Sequence, residues 1–220
     1  FDNFRRKNTA VPRVLFTHGF YLGDRMDSGL DRGPGISSPL VFLVRDPRDV
    51  AVSEYFQSTK RAKAHKRELY GVEQETTMFD FVMHGPLGLP SIIEYLNRWH
   101  NRLNSLPVIS MVRYEQMRAE PVAELARICE FYDAGFAIGQ IEEAVAFADF
   151  DNLKAMERRD FFHNSRLAPV DVNDPDSFKV RRAKVGGYRD YFDLDQIRQI
   201  DRMVTEELDP FFGYTASAVA

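Results

Sequence analysis

The chain has 220 residues, with 29 lysines and arginines against 33 aspartates and glutamates and a net charge of −4. That length suits one domain, residues 1–220, around one core; the charge balance supplies no global field for a nucleic-acid partner, while local basic clusters can still hold a small anion. The single cysteine, Cys129, excludes a disulfide framework and reads as a structural thiol. No apolar run approaches the roughly 18 residues of a membrane span, so the expectation is a cytoplasmic protein without a membrane partner.

In chain order, "VLFTH" (Val14 to His18) reads as a first strand and "LVFLV" (Leu40 to Val44) as a second, continuous enough to be covered on both faces. Residues 19–39 between them are irregular. Ile92, Tyr95, Leu96, Trp99 and Leu103 then mark an amphipathic helix. "PVISMVRY" (Pro107 to Tyr114) is a third strand, and Pro121 opens a helix carrying Val122, Leu125, Ile128 and Phe131. A helical stretch follows from Ile138 to Met156, then an irregular one over 159–187. A last helix runs from about Leu194 to Leu208 with Asp193 as its cap. Alternation of strand and helix predicts an α/β architecture, its strands parallel and side by side with helices on both faces.

Two polar clusters interrupt this pattern. In "VRDPRDVAVS" Pro47 fits the first turn of a helix, Asp46 can cap it, and Asp49 stands where a capping-box partner would. A strand thus feeds a helix through almost no loop, with free N–H groups, Arg45, Arg48 and Ser53 nearby: an anion site in outline. The plainer reading pairs both arginines with Asp46, Asp49 or Glu54 at the surface. In "FKVRRAKVGGYRDYF" four basic residues precede Gly186 and Gly187, giving either a flexible loop that closes on a charged ligand or a solvated one. No glycine-rich loop ending in Gly-Lys-Ser/Thr occurs, which disfavours a nucleotide kinase or hydrolase.

In their order, "PRVLFTH", "LVFLVRDPRDVAVSEYF", "GPLGLPSIIEYLNRWH", "VISMVRYEQMRAEPVAELARICEFY" and "VRRAKVGGYRDYF" resemble the cytosolic-type sulfotransferases, which use 3'-phosphoadenosine 5'-phosphosulfate. The resemblance runs from Val11 to Phe192. It implies a P-loop-like sulfotransferase fold, a three-layer sandwich with a central parallel sheet flanked by helices. It also implies sulfuryl transfer to a small-molecule or glycan acceptor, with the nucleotide as co-substrate and no metal.

Residue by residue, Arg45 and Ser53 match the family's 3'-phosphate ligands, and Arg181 and Arg182 match the basic pair of its late "RKG" segment, whose glycine is Ala183 here. Tyr188 stands where the family usually has tryptophan. Tyr114 matches a tyrosine near the adenine, and Phe150 matches the aromatic that stacks on the base, though a core position suits Phe150 equally. His18 matches the catalytic base, which would take the acceptor's proton during attack on sulfur; a lone histidine also serves in capping and core hydrogen bonding.

Two departures stand beside these matches. Phe16 replaces a lysine, and the family's first strand with its "PKSGTTW"-like phosphosulfate loop would precede Val11, so on this comparison both are missing. A non-catalytic nucleotide-binding or assembly protein on the same fold is therefore the competing class, separated by assay of donor turnover. Phe20, Tyr21, Phe79, Phe81 and Met83 offer an apolar acceptor surface or simply core. The family's short C-terminal dimer motif is not evident, and the sequence leaves the oligomeric state open.

Overall fold

The structure is a computed structural model, and it describes residues 39–69, 71–72, 76–103, 106 and 108–214. The expected first strand, with Phe16 and His18, lies outside the described residues, as do Phe20 and Tyr21. The chain divides into two compact units; of the described residues the first takes 39–44 and 106–145, the second 45–103 and 146–214.

In the first unit β1 (Leu40–Val44) and β2 (Ile109–Arg113) pair in parallel, from Leu40 opposite Ile109 to Val44 opposite Arg113. Parallel pairing needs a long crossover, and the helices between the two strands in sequence supply it. Phe42 and Val44 are buried, whereas Leu43 on the other face is exposed. Strand β2 is shorter than the apolar run suggested, because Tyr114 already starts α5 (Tyr114–Ala119). Pro121 then opens α6 (Pro121–Phe131) as its first residue. Arg127 on α6 braces β2, donating to Ser110 Oγ at 2.7 Å and to the Met111 carbonyl at 3.0 Å.

The 138–156 helix is in fact two, α7 (Ile138–Phe147) and α8 (Phe150–Arg158). Asp149 causes the break: its carboxylate accepts the N–H of Asp151 at 2.9 Å, capping a new helix where the old one would have continued.

The core of the second unit lies among α1 (Pro47–Phe56), α3 (Met78–His84), α4 (Leu89–Leu103) and α9 (Leu194–Glu207); α2 (Ala64–Leu69) is short. Val52, Phe81, Val82, Leu89, Ile92, Leu96, Trp99, Ile200 and Val204 fill it. Phe81 and Met83 are therefore core residues, and Phe79 meets Phe192 edge to face. The α3–α4 corner is closed so tightly that a Cβ on Gly88 would collide with the carbonyl oxygens of Phe81 and Val82. Asp193 caps α9 as expected, accepting from Asp195 and Gln196 while Gln196 reaches back to its N–H.

Helix α1 runs on into a π-turn, Gln57–Arg61, closed by the Ala62 N–H on the Gln57 carbonyl at 2.8 Å. The widened turn aims Arg61 at Glu157 Oε1 (3.3 Å) and at the backbone carbonyls of Ser177 and Arg166.

Candidate functional site

Only Arg45 and Asp46 separate β1 from α1. Asp46 caps the helix, accepting the Arg48 N–H at 2.9 Å, and its two oxygens also take Arg48 Nε and Nη2 at 2.9 and 2.7 Å. The plain reading of Arg48 as a partner of Asp46 holds, but the pair is buried. Its third contact is Asp201 at 2.6 Å, and its guanidinium lies 5.0 Å from the Tyr188 ring centre. Burial would push the Arg48 pKa down; the bonds to Asp46 and Asp201 more than reverse that and raise it. Asp201 collects Arg48, the Tyr188 hydroxyl at 2.7 Å and Arg189 at 3.2 Å. Burial opposes its charge, yet the Tyr188 and Arg48 contacts leave its carboxyl below the ordinary range, while burial and that same hydrogen bond push the Tyr188 hydroxyl up.

Asp49 does not complete a capping box. Its side chain, 2% exposed, instead accepts the N–H of Gly186 and the N–H of Tyr188, each at 2.9 Å. The reason is conformational: Gly186 has φ +67°, which turns its own N–H and that of Tyr188 onto one carboxylate. Burial raises the Asp49 carboxyl, against the pull of the Arg45 charge. Arg45 pairs with Asp49 at 3.3 Å and also donates to the Lys184 carbonyl at 3.3 Å.

A second buried carboxylate secures the other end of the loop. Glu157, 3% exposed, accepts the N–H of Lys179 at 2.5 Å and of Val180 at 2.8 Å, and pairs with Arg61. The glycine-containing stretch expected to be flexible is thus pinned at entrance and exit, with Arg181, Arg182, Ala183 and Lys184 between the pins.

Within that loop the two matched arginines differ. Arg181 is largely covered, its guanidinium 3.8 Å from the Phe56 ring centre and bonded to the Tyr191 hydroxyl. Arg182 is exposed and ion-paired to Asp190 at 2.5 Å. Ala183 has φ +49°, so the left-handed backbone is present although the glycine is not. Ser53 is exposed on α1, one turn beyond Asp49 on the same side. Phe150 begins α8, where Lys154 lies 5.4 Å from its ring centre and donates to the Arg181 carbonyl at 3.2 Å. The structure therefore brings Arg45, Arg181, Arg182 and Ala183 into one network and joins Phe150 to it through Lys154. Tyr114 opens α5 in the other unit, and His18 lies outside the described residues.

Sequence reasoning missed Asp49 as a loop anchor, along with Glu157, Lys154, Asp190 and Tyr191, whereas Lys184 was already among the four basic residues of the loop. Of those missed, Glu157 left a trace, a carboxylate beside Met156 on the apolar side of α8. Among the described residues no cluster of His, Cys, Asp and Glu is arranged to hold a metal ion.

A parallel strand pair, and in the second unit a helix entrance flanked by arginine with a basic loop clamped to it, define an α/β protein. The sulfotransferase domain family matches residues 37–212, and the chain belongs to that family. Cytosolic sulfotransferase 7 of Arabidopsis thaliana is 28% identical over 206 residues, covering 90% of this chain and 58% of its own length. Among solved structures, retinol dehydratase in a complex with retinol and PAP has a TM-score of 0.57 at 25% identity, covering 78% of this chain and 48% of that one. Mouse sulfotransferase SULT7A1 complexed with PAP has a TM-score of 0.59 at 20% identity, covering 78% and 58%. The chain spans a little over half the length of the curated relatives it matches.

Proposed function

We propose that this chain carries the 3'-phosphate side of a 3'-phosphoadenosine 5'-phosphosulfate site, and that the whole protein transfers the sulfuryl group to a hydroxyl, or an amine, of a small molecule or glycan. One observation carries the reading: Arg45 at the helix entrance and the loop bearing Arg181 and Arg182 meet through Asp49 and the Lys184 carbonyl, 139 residues apart in sequence. A phosphate with about two negative charges needs such converging donors. Arg45, Arg182 and Ser53 would hold the 3'-phosphate, Arg181 and Ala183 would shape the loop behind it, and Phe150 and Tyr114 would contact the adenine.

In the reaction the acceptor oxygen attacks sulfur and gives its proton to His18. The bond from sulfur to the bridging phosphate oxygen breaks, and its electron pair leaves on the nucleotide's 5'-phosphate. Charge neutralisation around the sulfuryl and departing phosphate lowers the barrier. The same reading extends the parallel sheet beyond two strands, with helix layers on both faces, and places the protein in the cytoplasm, as the names of its plant relatives do for them.

Calorimetric titration with PAP and with an analogue lacking the 3'-phosphate tests the assignment. Arg45→Ala should weaken PAP by at least about 1.5 kcal/mol and scarcely affect the analogue; equal losses would remove Arg45 as the 3'-phosphate reader. Binding without turnover in a protein extended upstream of Phe1 would favour the non-catalytic class.

A further inference from the structure

Arg182 and Lys184, two exposed cations of the basic loop, share one carboxylate. Arg182 Nη2 lies 2.5 Å from Asp190 Oδ2, and Lys184 Nζ lies 2.7 and 2.8 Å from the two Asp190 oxygens. Asp190 ends the short 3-10 turn Gly187–Asp190, the same turn that Asp49 grips through Gly186 and Tyr188. Its place beside the cations is therefore set by the backbone. Lys184 and Arg182 hold its carboxyl below the ordinary range. Two oxygens inside a fork of cationic donors offer what a phosphate edge offers, so an anion that engages these cations must displace Asp190.

The neighbouring contacts fit an exchange. Arg182 Nη1 also bonds the Tyr191 hydroxyl at 3.0 Å, a contact that keeps the guanidinium in place when the carboxylate lets go. Arg181 bonds the same hydroxyl but is stacked on Phe56, which leaves Arg182 and Lys184 as the exchangeable pair.

We propose that Asp190 is an internal competitor for the anion site, an affinity-setting residue that occupies Arg182 and Lys184 and is displaced by the phosphate of the incoming ligand. The identity of that ligand as the nucleotide rests on the function proposed above; the competition itself does not. Asp190 weakens donor and product alike and so speeds product departure.

Calorimetry on the full chain with PAP and, separately, with inorganic pyrophosphate tests this. Asp190→Asn should bind both roughly threefold to tenfold more tightly, the scale of two exposed ion pairs, and the gain should shrink at high salt. Asp190→Ala should change affinity in the same direction. Adding Arg182→Gln and Lys184→Gln to Asp190→Asn should abolish the gain. Unchanged or weaker binding of both anions by the Asp190 variants, or a gain that survives loss of both cations, overturns the proposal. Tighter pyrophosphate binding without PAP binding by any variant upholds Asp190 as competitor and rejects the nucleotide reading.

Discussion

Asp49 Oδ1 accepts the N–H of Tyr188 at 2.9 Å across 139 residues of sequence, while Oδ2 takes the N–H of Gly186. One buried side chain therefore joins the first helix of the second unit to the exit of the basic loop. Asp49→Ala strands these donors and should destabilise the chain by about 3 kcal/mol in urea unfolding, since each unmet buried donor costs about 1–3 kcal/mol. Amide exchange at Gly186 and Tyr188 should quicken as well. A loss below about 0.5 kcal/mol would show that the loop holds itself.

Arg181 and Arg182 should separate experimentally. Arg181→Ala removes a covered guanidinium from Phe56 and Tyr191 and should cost about 1–2 kcal/mol of stability. Arg182→Ala, at an exposed ion pair, should leave stability within about 0.5 kcal/mol yet weaken PAP. Denaturation and titration of both variants check this; a reversed pattern would exchange their roles.

Ala183 holds φ +49°, a conformation that a Cβ disfavours by about 1–2 kcal/mol. Ala183→Gly relieves that cost but enlarges the freedom of the unfolded chain, for a net gain of up to about 1 kcal/mol. The urea midpoint reads the result, and a lower midpoint would mean the positive φ carries no strain.

Asp201 supplies the pH dependence. Its carboxyl is depressed in the folded state, so its contribution is present above the unfolded value, about 3.9, and is lost as pH falls through the folded value. Asp201→Asn should cost about 2 kcal/mol at pH 7, the scale of a hydrogen bond to a charged group. The gap from the parent should close progressively as pH falls below about 4. Unfolding curves at several pH values measure it, and a gap that widens in acid would contradict the assignment.

Local pattern made much of this legible. Strand β1 follows its apolar run, and α9 starts where Asp193 announces it. The α4 stripe of Ile92, Leu96, Trp99 and Leu103 is buried as its spacing requires. Asp149 was harder, because a polar residue between two apolar stripes fits a continuous helix until its side chain turns back to cap. Asp49 and Glu157 were beyond local reading: each takes its meaning from N–H groups distant in sequence, and an acidic residue on a helix looks alike whether it meets water or a distant turn. Arg48 shows the same limit, since Asp46 is two residues away but Asp201, which completes its burial, is 153 residues away.

The π-turn at Gln57–Arg61 makes chain length itself part of the loop's support. Deleting one residue there would close the widened turn to ordinary pitch and shift Arg61, its last residue, relative to Glu157 and the carbonyls of Ser177 and Arg166. A relative shorter by one residue at this point must neutralise Glu157 with some other cation or give up the paired grip on Lys179 and Val180. A gap placed inside this turn in an alignment is thus a statement about a carboxylate 96 residues downstream.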